Sequence, residues 1–185
     1  MTFLWVLLSL ALLVGMWLVL LYNRMVRGRN LVAEAWSGID VQLKRRADLI
    51  PNLLETVKGY MGHERGLLEN LATLRARSLQ VQGAGEAGQV QGQLAEALGR
   101  IFALAEAYPD LKASQNFQAL QASLAEVEEQ IQLARRYYNG AARNFNILIQ
   151  SFPSNLIAGT FHFAPVEYFE IADAADRAVP KVAFP

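Results

Sequence analysis

The chain has 185 residues with 17 basic and 17 acidic side chains, so its formal net charge is zero. That length accommodates one domain and an additional segment, and the absence of cysteine excludes disulfides, thiolate nucleophiles and cysteine-based zinc or iron–sulfur sites. With Arg24, Arg27 and Arg29 set aside the rest is mildly acidic, which argues against the basic face that nucleic-acid binding needs.

Residues 3–22, FLWVLLSLALLVGMWLVLLY, carry no charge. Twenty helical residues span about 30 Å, the thickness of a bilayer core. Trp5 and Tyr22 stand near the ends of the run, where amphipathic rings favour the headgroup level. A cleaved signal peptide would have a basic start, a shorter apolar run and a small-residue cleavage site, so residues 1–23 are expected to be a retained transmembrane anchor. Arg24, Arg27 and Arg29 come directly after the run, and the positive-inside tendency puts the N-terminus outside and the remaining domain in the cytoplasm.

Beyond the anchor the periodicity is helical. Trp36, Ile39, Leu43, Ile50, Leu53, Leu54 and Val57 form a stripe that predicts a helix over about 30–59. The stripe keeps phase across Pro51, which implies a kink there rather than a turn. Gly59, Gly62 and Gly66 suit a reversal, and Leu67, Leu68, Leu71, Leu74 and Val81 mark a second helix over 63–82. Residues 82–93, QGAGEAGQVQGQ, read as a loop. A third helix is expected over 90–107, ending before Tyr108-Pro109.

The fourth helix, 114–152, has the most regular stripe, from Phe117 through Leu124, Ile131, Tyr138 and Phe145 to Phe152. These lengths favour an antiparallel up-and-down four-helix bundle over residues 24–152. A competing layout runs residues 30–82 as one helix. Residues 153–185 form a mostly irregular tail, with a short helix expected from Pro165 and with Phe161, Phe163, Tyr168, Phe169 and Phe184 packing on the bundle or facing a membrane or partner. The expected fold class is therefore all-α: transmembrane helix, four-helix bundle, tail.

No catalytic, cofactor or metal constellation is visible. His63-Glu64 lacks the second histidine of a zinc helix, and Glu126, Glu128 and Glu129 lack the paired histidines of a di-iron bundle. The glycines over 83–92 lie without a preceding strand or a phosphate-loop lysine. Lys44, Arg45, Arg46 and Asp48 are the most concentrated polar group, and Arg135 and Arg136 repeat the pattern. Successive helical positions turn at least one of the basic residues inward, where it needs an acidic or carbonyl partner. Asp40, Asp48, Glu55 or acids of the fourth helix could supply it. The alternative is contact with a protein partner or anionic lipid.

Several segments together resemble the LemA family. They include Asn30-Leu31-Val32, Ala35-Trp36-Ser37, Ile39 to Arg46, Asp48-Leu49-Ile50-Pro51-Asn52-Leu53 and Glu55 to Tyr60. Further matches are Tyr108-Pro109-Asp110-Leu111-Lys112, Ala134-Arg135-Arg136-Tyr137-Tyr138-Asn139, Asn144 to Pro153 and Val179-Pro180-Lys181-Val182. The resemblance implies a single-pass protein of the bacterial inner membrane with a cytoplasmic helical bundle, and it brings no catalytic residues. The expected function is a non-enzymatic interaction or scaffold protein, bound to the bilayer through residues 3–22 and to a protein partner or further copies of itself. A lipid-binding or membrane-remodelling oligomer and a membrane enzyme with an unfamiliar site are the alternatives.

Overall fold

The computed structural model of the chain describes residues 1–170. Among these residues six helices succeed one another: α1 Thr2–Lys58, α2 Arg65–Ser78, α3 Ala84–Ala105, α4 Pro109–Lys112, α5 Gln115–Gln150 and α6 Ser154–Thr160. No strand occurs among the described residues, and the chain is all-α. Two compact units are present, one built from 1–38 with 134–168 and one from 39–133 with the described residues 169 and 170. The expectations for Val179 to Val182 and Phe184 lie outside the described residues.

In the unit of residues 39–133, four long segments surround one apolar core. Ile50, Leu53 and Val57 of α1, Leu71 of α2, Leu94, Leu98 and Ile101 of α3, and Phe117 and Leu124 of α5 are buried together. Phe102 and Phe117 meet edge-on with ring centres 6.1 Å apart, joining the end of α3 to the start of α5. α1 ends at Lys58 and α2 begins at Arg65, which removes the layout with one helix over 30–82. Met61, fully buried, pins the turn, and its N–H donates to the Val57 carbonyl at 2.8 Å.

α1 continues through Pro51. Proline has no N–H to offer the carbonyl one turn earlier, that of Ala47. Arg75 of α2 supplies the missing donor, its Nε lying 3.2 Å from the Ala47 oxygen. Ala47 and Arg75 lie at similar distances from the turn between Lys58 and Arg65, as antiparallel packing of α2 on α1 requires.

The loop expected over 82–93 is corrected: α3 starts at Ala84, immediately after Gly83 at φ +95°. Glycine and glutamine suggest a linker only if close packing is left out. Ala84, Ala87, Gly88 and Gln91 recur at helical spacing and are all buried. A Cβ at Gly88 would overlap the Glu170 carbonyl, so the small residues form a face over which the chain at 169–170 passes. Phe169 is fully buried.

In the unit of 1–38 and 134–168, α1 buries Met25, Val32 and Ala35, and α5 buries Tyr138, Ala141, Ala142, Phe145 and Ile149. The Trp36 and Tyr138 rings meet edge-on at 5.4 Å. The stripe of α5 ends before Phe152, which is 81 % exposed.

The short helix expected at Pro165 does not form; residues 163–170 carry no regular secondary structure. α6 forms instead, one turn after α5. Its end has the paired bonds of a Schellman cap: Phe163 N–H donates to the Ala158 carbonyl at 2.9 Å and His162 N–H to that of Gly159 at 3.4 Å. His162 takes the left-handed position at φ 57°.

The irregular segment after α6 is held to α5 by side chains. Asn146, buried, donates to the Val166 carbonyl and accepts from the Val166 N–H, both at 2.9 Å. The Tyr138 hydroxyl donates to the Glu167 carbonyl at 2.8 Å. An asparagine side chain carries an NH2 donor and a carbonyl acceptor side by side, so it satisfies both backbone groups of Val166.

Candidate functional site

The densest polar arrangement inside the four-helix unit centres on Arg46. α1 places it among buried Leu43, Ala47 and Ile50, and its side chain is 4 % exposed. Its Nη1 donates to Gln91 Oε1 of α3 at 3.4 Å and lies 3.1 Å from Glu128 Oε2 of α5. The Glu128 contact is a charge contact without an aligned hydrogen bond. Gln132, one turn further along α5, donates from Nε2 to the other Glu128 oxygen at 2.8 Å. Three helices thus meet on one guanidinium.

Burial lowers the Arg46 pKa from its ordinary value, and the Glu128 carboxylate opposes that shift. Arginine still stays charged at neutral pH, so Arg46 is no proton donor or acceptor for chemistry. What the arrangement does is join α1, α3 and α5 through a charge that requires its partner.

Of the other residues singled out, Arg45 pairs with Glu126 at 3.2 Å on the surface. Lys44 and Asp48 are exposed on α1. The partners of Arg45 and Arg46 are acids of α5; the nearer candidates Asp40, Asp48 and Glu55 are exposed instead. In the other unit Arg135 and Arg136 line a groove of about 350 Å³ with Asn139, Gly140, Arg143 and Tyr168. His63 and Glu64 lie in the turn between α1 and α2, and no metal-holding group of three side chains gathers among the described residues.

Gln91, Asn146 and Arg75 are absent from the sequence expectations. Gln91 was hidden in the supposed loop, although its spacing from Ala84, Ala87 and Gly88 is the available signal. Arg75 could have been sought as the donor for the carbonyl that Pro51 leaves open. Asn146 offers no local signal, because its partner is 20 residues away.

The sequence profile of the LemA family matches residues 35–184. The chain belongs to the LemA family. The match spans all of α2 to α6 and the part of α1 that holds Arg46. Among curated LemA-related proteins, magnetosome protein MamQ 1 of Paramagnetospirillum magneticum is 25 % identical over 188 residues, covering 88 % of this chain and 69 % of the relative. Magnetosome protein MamQ of Magnetospirillum gryphiswaldense is 24 % identical with the same coverage. Protein LemA of Metamycoplasma hominis is 26 % identical over 153 residues, covering 82 % of this chain and 69 % of the relative.

Proposed function

We propose that this LemA-family chain is a non-enzymatic interaction protein held in the bacterial inner membrane by α1, with the N-terminus outside and the helical domain in the cytoplasm. The observation that carries the reading is the continuity of α1. One helix, Thr2–Lys58, contains both a stretch long and apolar enough to cross a membrane and the buried stripe of the four-helix unit. Only 6 % of that apolar window is buried within the chain, so its side chains need an apolar surrounding from elsewhere.

Arg24, Arg27 and Arg29 favour the cytoplasmic side for the helical domain. The one strongly buried ionisable side chain of the polar cluster, Arg46, is engaged by Glu128, which supports an architectural role for that cluster. Exposed apolar residues on the bundle, such as Val41 and Leu133, offer contact points for a protein partner or a second copy.

The test is membrane fractionation with alkaline washing, combined with a reporter active only outside the cytoplasm fused after Pro185. The chain is expected to stay in the washed membrane and the reporter to stay silent. Release by the wash would refute the anchor, and an active reporter would refute the orientation.

A further inference from the structure

The charge-free stretch from Asn144 to Val166 brings its apolar side chains to the end of the apolar run of α1. No Asp, Glu, Lys or Arg occurs between Arg143 and Glu167. Phe161 packs against Tyr22 with ring centres 4.8 Å apart, and Phe163 meets the same ring at 5.9 Å. Leu18, Val19, Tyr22, Ile157 and Phe161 line one groove of about 300 Å³. α6 is therefore fixed at the level of the last turn of residues 3–22.

α6 buries Ser154, Ile157 and Ala158 on its inner side. Its outer side and flanks present Phe152 at 81 %, Leu156 at 63 % and Phe161 at 56 % exposure. In water these large apolar groups would be left uncovered.

We propose that α6 and its flanking phenylalanines are a second membrane contact, lying in the cytoplasmic leaflet beside the span. The inference rests on the reading of residues 3–22 as a membrane span. From Leu18 to Tyr22 the helix rises about 6 Å. A helix packed over that interval sits within the last few ångströms of the hydrocarbon, the depth at which interfacial helices bury an apolar face. The polarity gradient agrees with that placement. Arg29 lies with its guanidinium carbon 5.4 Å from the centre of the Phe163 ring, so a cation stands at the headgroup side of the same aromatic group. The occupant is the acyl region of a bilayer, with no specific headgroup required, because the lining of the groove is apolar. The consequence is that the chain enters the leaflet twice, through α1 and through α6, so α1 is held against rotation and piston movement.

The absence of cysteine makes the test direct. Leu156→Cys and Phe152→Cys, each in the full chain, are labelled with a polarity-sensitive dye and reconstituted into phosphatidylcholine vesicles. Val14→Cys serves as the mid-span reference and Gln121→Cys, exposed on α5, as the aqueous one. Dye at 156 and 152 is expected to shift to the blue relative to 121, and to be quenched several-fold more strongly by spin-labelled acyl chains than by aqueous iodide. Quenching by iodide as strong as at 121, with position 14 in lipid, would overturn the second contact and leave the anchor standing. Protection from both quenchers would overturn it too, because a protein surface would then cover α6. Aqueous behaviour at position 14 would remove the span and the inference with it.

Discussion

A proline inside a helix leaves a carbonyl without its donor, and that carbonyl must be satisfied or solvated. Arg75 and Pro51 are coupled in this way through the Ala47 oxygen. Arg75→Ala in the natural chain should cost about 1–2 kcal/mol, the range for a partly buried charged hydrogen bond. In a Pro51→Ala background the backbone bond returns, and the same truncation should cost clearly less. A double-mutant cycle from denaturant titration should show coupling near about 1 kcal/mol.

Glu128→Ala should be more damaging than Arg46→Met, because it leaves a buried guanidinium without its counter-charge whereas methionine removes the charge itself. Glu128 is 36 % exposed, so solvent screening reduces the loss to about 1–3 kcal/mol, read from the same titrations. Arg45→Ala should cost below about 1 kcal/mol, since both its side chain and that of Glu126 are about half exposed.

Tyr138 adds a pH dependence with a definite sign. Burial first, and the Glu167 carboxylate second, raise its pKa above the ordinary 10.0. The native state therefore holds the proton to higher pH than the unfolded chain does. That stability is complete below the unfolded value and is lost as pH rises through the raised native one. Thermal unfolding monitored from neutral to alkaline pH should show Tyr138→Phe weakened by about 0.5–1.5 kcal/mol at neutral pH. The variant's stability should then fall less steeply than the natural chain's at alkaline pH.

At the scale of elements, α3 gives a matched comparison. Gly88 faces the Glu170 backbone, whereas nothing lies within 4 Å of a Cβ built on Gly99 of the same helix. Gly99→Ala should stabilise by about 0.5–1 kcal/mol through the backbone entropy it removes from the unfolded chain. Gly88→Ala should destabilise despite the same gain in helix propensity, because the chain at 169–170 has to move. Melting temperatures of the two variants shifted in opposite directions would verify this; parallel shifts would contradict the close approach.

Legibility divides along the same line. The stripes of α1, α2 and α5 were readable because large apolar residues recur at helical spacing. The beginning of α3 was not, because its buried face uses Ala, Gly and Gln, whose composition also suits a linker. α6 and the irregular segment after it depend on contacts distant in sequence, so no local pattern announces them. For the polar cluster, that one basic residue of 44–46 turns inward was legible. That Glu128 rather than an acid of the same helix meets it was not, because the answer depends on the register of α5 against α1.

For the whole molecule, a single helix carries both an apolar run long enough to cross a membrane and the buried stripe of the four-helix unit. The residues that organise the bundle, Arg46, Arg75 and Gly88, act on other parts of the same chain, and the proposed interaction role therefore falls on the exposed apolar positions. The most direct measurement is in-cell photocrosslinking from a benzophenone amino acid placed at Val41, on α1, and separately at Tyr137, on α5, both exposed. The account predicts discrete higher-mass adducts in the membrane fraction from at least one of these positions, identified by mass spectrometry as a partner or as the chain itself. A chain that stays strictly monomeric and uncrosslinked at both positions, at native expression, would contradict the interaction role.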